Sequence, residues 1–184
     1  MTLLETYNSI TEFVWCDKGN THSYIEEYSK LFSPFKDKKI NLLEVGVFEG
    51  GSLQLWHDYF LQGSITGFDI EGWDNRDDAV FEKICAQERV SFIHGDATSK
   101  EDLKKLGGKM FDIIIDDASH LEEDQQFTLE NLYASVNPGG IYVIEDIKSL
   151  EIAKNLGNQF PNKTIVDLRE HKERYDDILA VWRV

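Results

Sequence analysis

Two segments of the sequence end in paired carboxylates, and one of them also carries a histidine. Residues 111–120 read FDIIIDDASH, and residues 137–147 read NPGGIYVIEDI. Each contains an apolar, β-branched run that ends in two acids, which predicts a buried strand with carboxylates at its carboxyl end. If these strands are neighbours in a parallel sheet, the four carboxylates meet at the edge where ligands of such sheets bind.

The residue types at this edge suit a divalent cation and a proton transfer. The four acids are Asp116, Asp117, Glu145 and Asp146. Carboxylates held this close repel one another unless a cation neutralises them, and their oxygens favour Mg²⁺, Ca²⁺ or Mn²⁺ over zinc. His120 follows closely, and an ordinary imidazole suits general base catalysis near neutral pH. The alternative is that the acids cap helices and His120 is a solvated loop residue.

A glycine-rich turn follows the first predicted strand, where residues 42–52 read LLEVGVFEGGS. Such glycines allow a tight turn and a close approach to a ligand, and the helix that begins near Ser52 offers free N–H groups. Asp69 ends the second predicted strand, where doubly wound folds place a carboxylate on ribose hydroxyls. An ordinary strand–helix turn is the alternative. The spacing differs from G-x-G-x-x-G, which argues against an NAD-type oxidoreductase.

A further acid follows the third predicted strand, in the sequence HGDA at residues 94–97. Asp96 at this strand end is placed to accept a hydrogen bond from an adenine amino group. The alternative is that Asp96 is the N-cap of a helix predicted over residues 100–106. The two roles are compatible.

The elements that must position these residues follow from the alternation of short apolar runs with longer amphipathic stretches. The predicted strands cover residues 40–47, 64–70, 90–94, 111–116, 141–145, 163–168 and 178–182. The predicted helices cover residues 52–61, 77–87, 100–106, 122–136 and 149–159. This order predicts an α/β fold with a doubly wound, Rossmann-like, seven-stranded sheet that is mostly parallel and has an antiparallel last strand.

The length of 184 residues suits a single domain. We expect one domain over residues 1–184, with an N-terminal helical lid segment at 1–36 and a Rossmann-like core at 37–184. Helical character at residues 21–31 supports the lid.

Composition and charge exclude several classes of function. The net charge of −15 argues against a general nucleic-acid binder, because an acidic surface repels phosphate backbones. No apolar run is long enough to span a bilayer, and the first residues do not resemble a secretory signal. The two cysteines, Cys16 and Cys85, lie far apart in the sequence, which is typical of reduced thiols and not of a disulfide framework. Reduced thiols favour a cytoplasmic location.

The motifs LLEVGVFEGGS, TGFDI, DDASH and NPGGIYVIEDI together resemble those of class I S-adenosylmethionine-dependent methyltransferases. They are most similar to the metal-dependent O-methyltransferases that act on sugar hydroxyls of macrolides and related glycosylated natural products. The resemblance runs from about Asp17 to Asp146. Ala118 stands where a glycine is usual, and Asp124 stands where a second histidine is common. Some relatives carry a large N-terminal domain, and we expect no counterpart of it within these 184 residues.

The resemblance implies roles for particular residues. S-adenosylmethionine would be held by Glu44, Gly46, Gly50, Ser52, Asp69, Asp96, Ala97 and Asp116. Mg²⁺ or another hard divalent cation would be held by Asp117, Glu145 and Asp146, and His120 would be the general base. The segment CDKGNTHSYIEEY is similar to one that closes over the cofactor, which makes Lys18, His22 and Tyr24 candidate neighbours of the site. Helix capping and packing are their alternative roles.

The resemblance also implies an activity, which is Mg²⁺-dependent methylation of a hydroxyl of a sugar or another small-molecule diol. The partner would be a small-molecule acceptor, for example a glycosylated one, and neither nucleic acid nor a membrane would be involved. Homo-oligomerisation is left open. Two other functions are weighed against this one. A catechol-type O-methyltransferase would chelate vicinal oxygens in the same way, and a regulatory module would bind S-adenosylmethionine without catalysis.

Overall fold

The computed structural model describes residues 1–70 and 77–184, and within them seven strands form one sheet. The strands are β1 (Asn41–Val45), β2 (Ser64–Asp69), β3 (Val90–His94), β4 (Phe111–Asp116), β5 (Val136–Ile144), β6 (Lys163–Asp167) and β7 (Ile178–Arg183). Their spatial order is β3-β2-β1-β4-β5-β7-β6. Strands β1 to β5 pair in parallel, whereas β7 is antiparallel to both of its neighbours. The predicted fold class is therefore confirmed.

Helices cover both faces of this sheet. They are α1 (Leu3–Ile10), α2 (Asp17–Asn20), α3 (Ile25–Phe32), α4 (Gly51–Tyr59), α5 (Asp78–Cys85), α6 (Lys100–Leu103), α7 (Glu122–Leu132), α8 (Leu150–Asn155) and α9 (Arg169–Lys172). Successive strand residues point to opposite faces, so each strand contributes to two cores. Leu42 and Ile113 lie in one core, and Leu43 and Ile114 lie in the other. No helix in the described residues is long and apolar enough to cross a membrane.

Several elements differ in extent from their predictions. The helix predicted over 122–136 ends at Leu132 and continues as a 3₁₀ turn, and β5 begins at Val136 instead of 141. Pairing of β5 with β4 skips between Phe111 and Ile113, so a bulge absorbs residues around Pro138. The helix predicted over 21–31 begins at Ile25.

The N-terminal helices share one hydrophobic core with α4. Aromatic rings of α3 and α4 contact one another edge-on, with the Tyr28 and Trp56 centroids 5.4 Å apart and those of Phe32 and Trp56 5.3 Å apart. All three side chains are fully buried. Such pairs stabilise packing beyond the area they bury, so the N-terminal segment is firmly attached to α4.

Glycine is required at two positions of the turn after β1. Gly46 has φ +83°, and a Cβ there would overlap the backbone carbonyl of Asp117. A Cβ on Gly51 would overlap the carbonyl oxygen of Trp15, so Gly51 allows the N-terminal segment to approach the start of α4. Both glycines therefore bring backbone segments together at the carboxyl end of β1.

We predict that G46A destabilises the protein more than G139A. Gly139 has the same φ of +83°, but a Cβ there meets nothing within 4 Å. G139A should cost about 1–2 kcal/mol for the left-handed backbone alone. G46A should cost about 1–3 kcal/mol more, because its Cβ is forced against Asp117. Urea unfolding of both variants measures the difference, and equal losses would contradict the close approach.

Candidate active site

The carboxyl ends of β4 and β5 bring the predicted acids together. Asp116 is the last residue of β4 and pairs with Ile144 of β5. The pairing extends one residue beyond the end of β5, because the Glu145 N–H donates to the Asp116 carbonyl at 2.9 Å. The Asp117 N–H donates to the carbonyl of Val45 at 2.8 Å, which ties the end of β4 to β1. The strands β4 and β5 are therefore neighbours, which is the condition under which the four acids meet.

His120 lies between two of these acids. Its Nε2 is 3.0 Å from Asp117 Oδ1, and its Nδ1 is 3.6 Å from Asp146 Oδ2. His120 and Asp146 both have positive φ, 56° and 53°, which is uncommon for residues other than glycine. Such strained conformations cluster at functional sites, where the surrounding structure enforces them.

The environment of His120 favours its protonated form. Burial lowers the pKa of the imidazole, but the hydrogen bond and charge of Asp117, with the charge of Asp146, outweigh burial and raise the pKa to about 9. Asp146 itself has a pKa raised to about 6, chiefly by burial and then by Asp117. A role for His120 as proton acceptor therefore depends on neutralising these two carboxylates.

Lys18 is fully buried, and it is the cation of the acid cluster. Its Nζ donates to Asp117 Oδ2 and lies 2.9 Å from Glu145 Oε2 and 3.8 Å from Glu44 Oε1. Burial lowers the pKa of Lys18, but the nearby carboxylates, of which Asp117 is the strongest, raise it well above its usual range. The ammonium group stays charged and offsets the mutual repulsion of the acids.

Two tyrosines and a histidine of the N-terminal segment bind the same acids. The Tyr28 hydroxyl donates to Glu145 Oε1, and the Tyr24 hydroxyl donates to Asp146 Oδ1. The His22 ring lies 3.3 Å from the same Asp146 oxygen and stacks on Tyr24 at 4.8 Å between centroids. Lys18, His22 and Tyr24 thus all contact the acid cluster, and none of them caps a helix with its side chain.

The three predicted metal ligands fall into two groups. In the described part of the chain, Asp117 shares one set of converging ligand atoms with His120 and Asp146, all within 4.8 Å of one another. A second set combines Asp117 with Glu44 and Glu145, and Lys18 lies within it. The two carboxylates of the first set, Asp117 and Asp146, are hard donors of the kind that a divalent cation such as Mg²⁺ prefers. Glu145 is already bound by Lys18 and Tyr28.

A cavity of about 330 Å³ lies beside these acids, at the carboxyl ends of β1 to β4. This volume is within the usual range for small-molecule sites. Six of the eight predicted cofactor residues line it, together with Asp117 and His120. The six are Gly46, Ser52, Asp69, Asp96, Ala97 and Asp116.

The other two predicted cofactor residues, Glu44 and Gly50, are not among the residues that line the cavity. Glu44 is fully buried and accepts a hydrogen bond from the Ser52 hydroxyl at 2.7 Å. Burial raises the pKa of Glu44 to about 7, against the opposing charge of Lys18. Gly50 is the left-handed N-cap residue of α4, with φ +82°. Glu44 thus holds Ser52 in the cavity wall, and Gly50 forms the turn into α4.

Asp69 organises the glycine turn. Its Oδ2 accepts the N–H groups of Val47 and Phe48 at 2.8 and 3.1 Å, and its Oδ1 accepts the N–H of Ile70 at 2.7 Å. It also lines the cavity. A carboxylate oxygen accepts more than one hydrogen bond, so these contacts leave acceptor capacity for a ligand hydroxyl.

Asp96 lines the cavity but does not cap the helix that follows it. Its Oδ1 accepts both the N–H and the hydroxyl of Thr98, at 2.8 and 2.7 Å. The N-cap of α6 is Ser99, whose hydroxyl accepts the N–H of Asp102. The capping interpretation of Asp96 was therefore wrong. The Asp96 carboxylate binds Thr98 within the turn, and Ser99 is the residue that caps α6.

Sequence reasoning missed three residues of the site. Tyr28 lies one helical turn after Tyr24, and this i, i+4 spacing was an available signal. Gln125 lines the cavity and donates to the Glu145 carbonyl at 2.9 Å. Asp177, which lies 2.7 Å from the His22 ring, comes from the connection before β7 and has no local signal.

The sheet order, the glycine turn and the acids at the strand ends define a methyltransferase-type α/β domain. The methyltransferase domain family matches residues 43–147, and the chain belongs to this family. The expected resemblance is confirmed.

Curated relatives and solved structures extend this comparison. Demethylmacrocin O-methyltransferase of Streptomyces fradiae is 30% identical over 179 residues, which cover 86% of this chain and 43% of the relative. A tetracenomycin rhamnosyl 2′-O-methyltransferase of Streptomyces olivaceus is 32% identical over 140 residues, covering 72% and 35%. MycE methyltransferase of the mycinamycin pathway, solved with Mg and SAH, superposes with a TM-score of 0.70 at 25% identity, covering 100% of this chain and 53% of MycE. The chain spans less than half the length of these curated relatives.

We predict that K18M strongly destabilises the protein. The substitution removes the cation from Glu145, which is buried, and from Asp117, whose side chain is 13% exposed; loss of a buried partner typically costs about 3–5 kcal/mol. The loss should shrink as the pH falls, because protonation removes the repulsion between the unpaired acids. K30M is the control, because Lys30 pairs with Glu27 but is 70% exposed and should change stability by less than about 1 kcal/mol. Urea unfolding at pH 8 and pH 5 provides the measurement, and wild-type stability of K18M would contradict this account.

Proposed function

We propose that this chain transfers the methyl group of S-adenosylmethionine to a hydroxyl of a sugar or another small-molecule diol. The observation that carries the proposal is that one cavity is lined both by the predicted cofactor residues and by the Asp117–His120 pair. A methyl donor and a proton acceptor must share one site for O-methylation, since orientation of the reacting atoms supplies much of the rate.

The cofactor would lie along the ends of β1, β2 and β3. Gly46 and Ser52 would contact the methionine part, with Glu44 holding Ser52 and Gly50 forming the turn into α4. Asp69 would accept hydrogen bonds from the ribose, and Asp96 with Ala97 would lie beside the adenine. Asp116 would face an amino group of the cofactor. Burial raises the pKa of Asp116 to about 7, and a bound cation would favour the ionised form of this carboxyl.

The acids beside the cavity fit a hard divalent cation such as Mg²⁺. Asp117 and Asp146 would hold it, with Glu145 as the third predicted ligand, although Lys18 and Tyr28 bind Glu145 in this structure. When bound, the ion supplies positive charge that favours the ionised form of a nearby hydroxyl.

His120 would accept the proton of the acceptor hydroxyl. The Asp117 carboxylate can only accept, so it keeps a proton on Nε2 and leaves Nδ1 as the basic atom. In the transfer, the acceptor oxygen forms a bond to the methyl carbon and the carbon–sulfur bond breaks. His120 Nδ1 would take the hydroxyl proton, and S-adenosylhomocysteine would be left as the neutral product of the methyl donor.

The names of the relatives support a sugar acceptor. The tetracenomycin relative is named for methylation of a rhamnosyl group, and a Micromonospora griseorubida relative is mycinamicin VI 2″-O-methyltransferase. MycE was solved in complex with Mg, SAH and mycinamycin VI. No observation favours a catechol acceptor, and the presence of Asp117, His120 and Asp146 in one group disfavours a non-catalytic module.

The organisation of the chain remains part of the proposal. We propose one methyltransferase domain over residues 1–184, in which 1–36 acts as a lid and 37–184 forms the core. A glycosylated small molecule would be the partner. The oligomeric state stays open, and a cytoplasmic location stays a prediction.

Calorimetric titration of S-adenosylmethionine and S-adenosylhomocysteine, with and without Mg²⁺, tests the proposal. We expect both sulfur nucleosides to bind and NAD, the control, not to bind. Cofactor binding followed by a screen of glycosides and catechols with metal would identify the acceptor. Failure of the folded protein to bind either sulfur nucleoside would overturn the proposal.

We predict that H120A separates catalysis from cofactor binding. Loss of a general base typically lowers turnover by about 10²–10⁴-fold, whereas the affinity for S-adenosylhomocysteine should change little. H171A is the matched control, because His171 is exposed in α9 and lines no part of the cavity. Methyl transfer from labelled cofactor and calorimetry on both variants provide the readouts. Full turnover of H120A would exclude the base role.

A further inference from the structure

The connection between β6 and β7 holds the segment that carries Lys18. We call residues 17–24 the Lys18 segment. Lys172, at the end of α9, donates from Nζ to the carbonyl oxygens of Gly19, Asn20 and His22, the last two at 3.0 and 2.9 Å. These carbonyls lie at and just beyond the end of α2, where helical carbonyls lack internal partners.

Asp177 fixes the same segment from the other end of this connection. It is fully buried, its Oδ1 is 2.7 Å from His22 Nδ1, and its Oδ2 accepts the N–H of Ser23 at 3.2 Å. Two residues of the β6–β7 connection therefore bind the backbone and the side chain around His22.

The Lys18 segment has little internal support. The helix α2 has four residues, and isolated helices of this length are unstable in water. The backbone N–H groups of Thr21 and His22 donate to the Asp17 carbonyl, and the N–H of Tyr24 donates to the Lys18 carbonyl. Thr21 also donates to the neighbouring Asn20 side chain, so these internal bonds are all short-range. The position of the segment therefore depends on contacts made from outside it.

We propose that Lys172 and Asp177 are positioning residues for the methyl transfer. By holding the Lys18 segment, they place the Lys18 ammonium on Asp117 and Glu145, and the Tyr24 hydroxyl on Asp146. The catalytic consequence rests on the proposed function, but the holding of the segment does not. Loosening the segment should weaken the site without disturbing the sheet, because Lys172 is exposed.

K172M is the test, and K163M is a matched control. Lys163 donates in the same way to the carbonyls of Ala153, Lys154 and Leu156 near the end of α8. It begins β6, whereas the connection that carries Lys172 follows the other end of that strand. Both substitutions remove a lysine from three carbonyls, but K172M alone affects the Lys18 segment. K172R restores the charge and the donors.

Hydrogen exchange of the wild-type chain and the three variants gives the first readout. We expect the amides of Thr21, His22 and Tyr24 to exchange about tenfold faster in K172M, because a charged hydrogen-bond network is lost. K163M should leave these amides unchanged, and K172R should restore their protection. Wild-type exchange in K172M, or equal acceleration in K163M, would overturn the proposal.

Binding and kinetics give the second readout. K172M should weaken S-adenosylhomocysteine binding or lower kcat for methyl transfer, and K172R should recover it, whereas K163M should match the wild type. Unchanged binding and kcat in a K172M protein with a loosened segment would overturn the positioning role. If the wild type binds no sulfur nucleoside, the proposed function fails, yet the exchange experiment still decides whether Lys172 holds the segment. D177N should also speed hydrogen exchange at the amides of Thr21, His22 and Tyr24, and this result would test whether Asp177 holds the segment as Lys172 does.

Discussion

The buried ammonium of Lys18 is the interaction on which the site depends. Parallel strands β4 and β5 end side by side, so their terminal acids are forced into one small volume. Buried carboxylates at this separation need a neutralising charge, and Lys18 supplies it by contacting Asp117 and Glu145. The ordered acid cluster therefore depends both on the sheet, which places the acids, and on the segment before β1, which carries Lys18.

That dependence explains the packing of the first part of the chain. A lysine reaches the interior only if its backbone is held against the core. Gly51 has no side chain to block the Trp15 carbonyl, and the edge-on aromatic contacts of Tyr28 and Phe32 with Trp56 attach α3 to α4. Lys172 of the β6–β7 connection binds the carbonyls at the end of α2. Features far apart in sequence thus serve one electrostatic requirement.

The sequence predicted what local patterns encode and missed what depends on distant pairing. Strand β4 was predicted to the residue, and the acids at the ends of β4 and β5 were identified from the apolar runs that precede them, because such runs are local signals. That the acids meet followed only if the two strands are neighbours, which the structure shows. The contacts of Lys18 with Asp117 and of Ser23 with Asp177 join residues 99 and 154 apart, which no local pattern encodes. Asp96 was assigned an alternative capping role because turn and cap use the same residue types.

Asp117 links the two halves of the site. It belongs both to the group with His120 and Asp146 and to the group that surrounds Lys18. Its Oδ1 faces His120 and its Oδ2 binds Lys18, so the orientation of one carboxylate is set from both sides. Any cation bound on the His120 side must share Asp117 with the ammonium. The charge that stabilises the acid cluster therefore also limits how the cluster can bind a metal, and movement of the Lys18 segment would alter both at once.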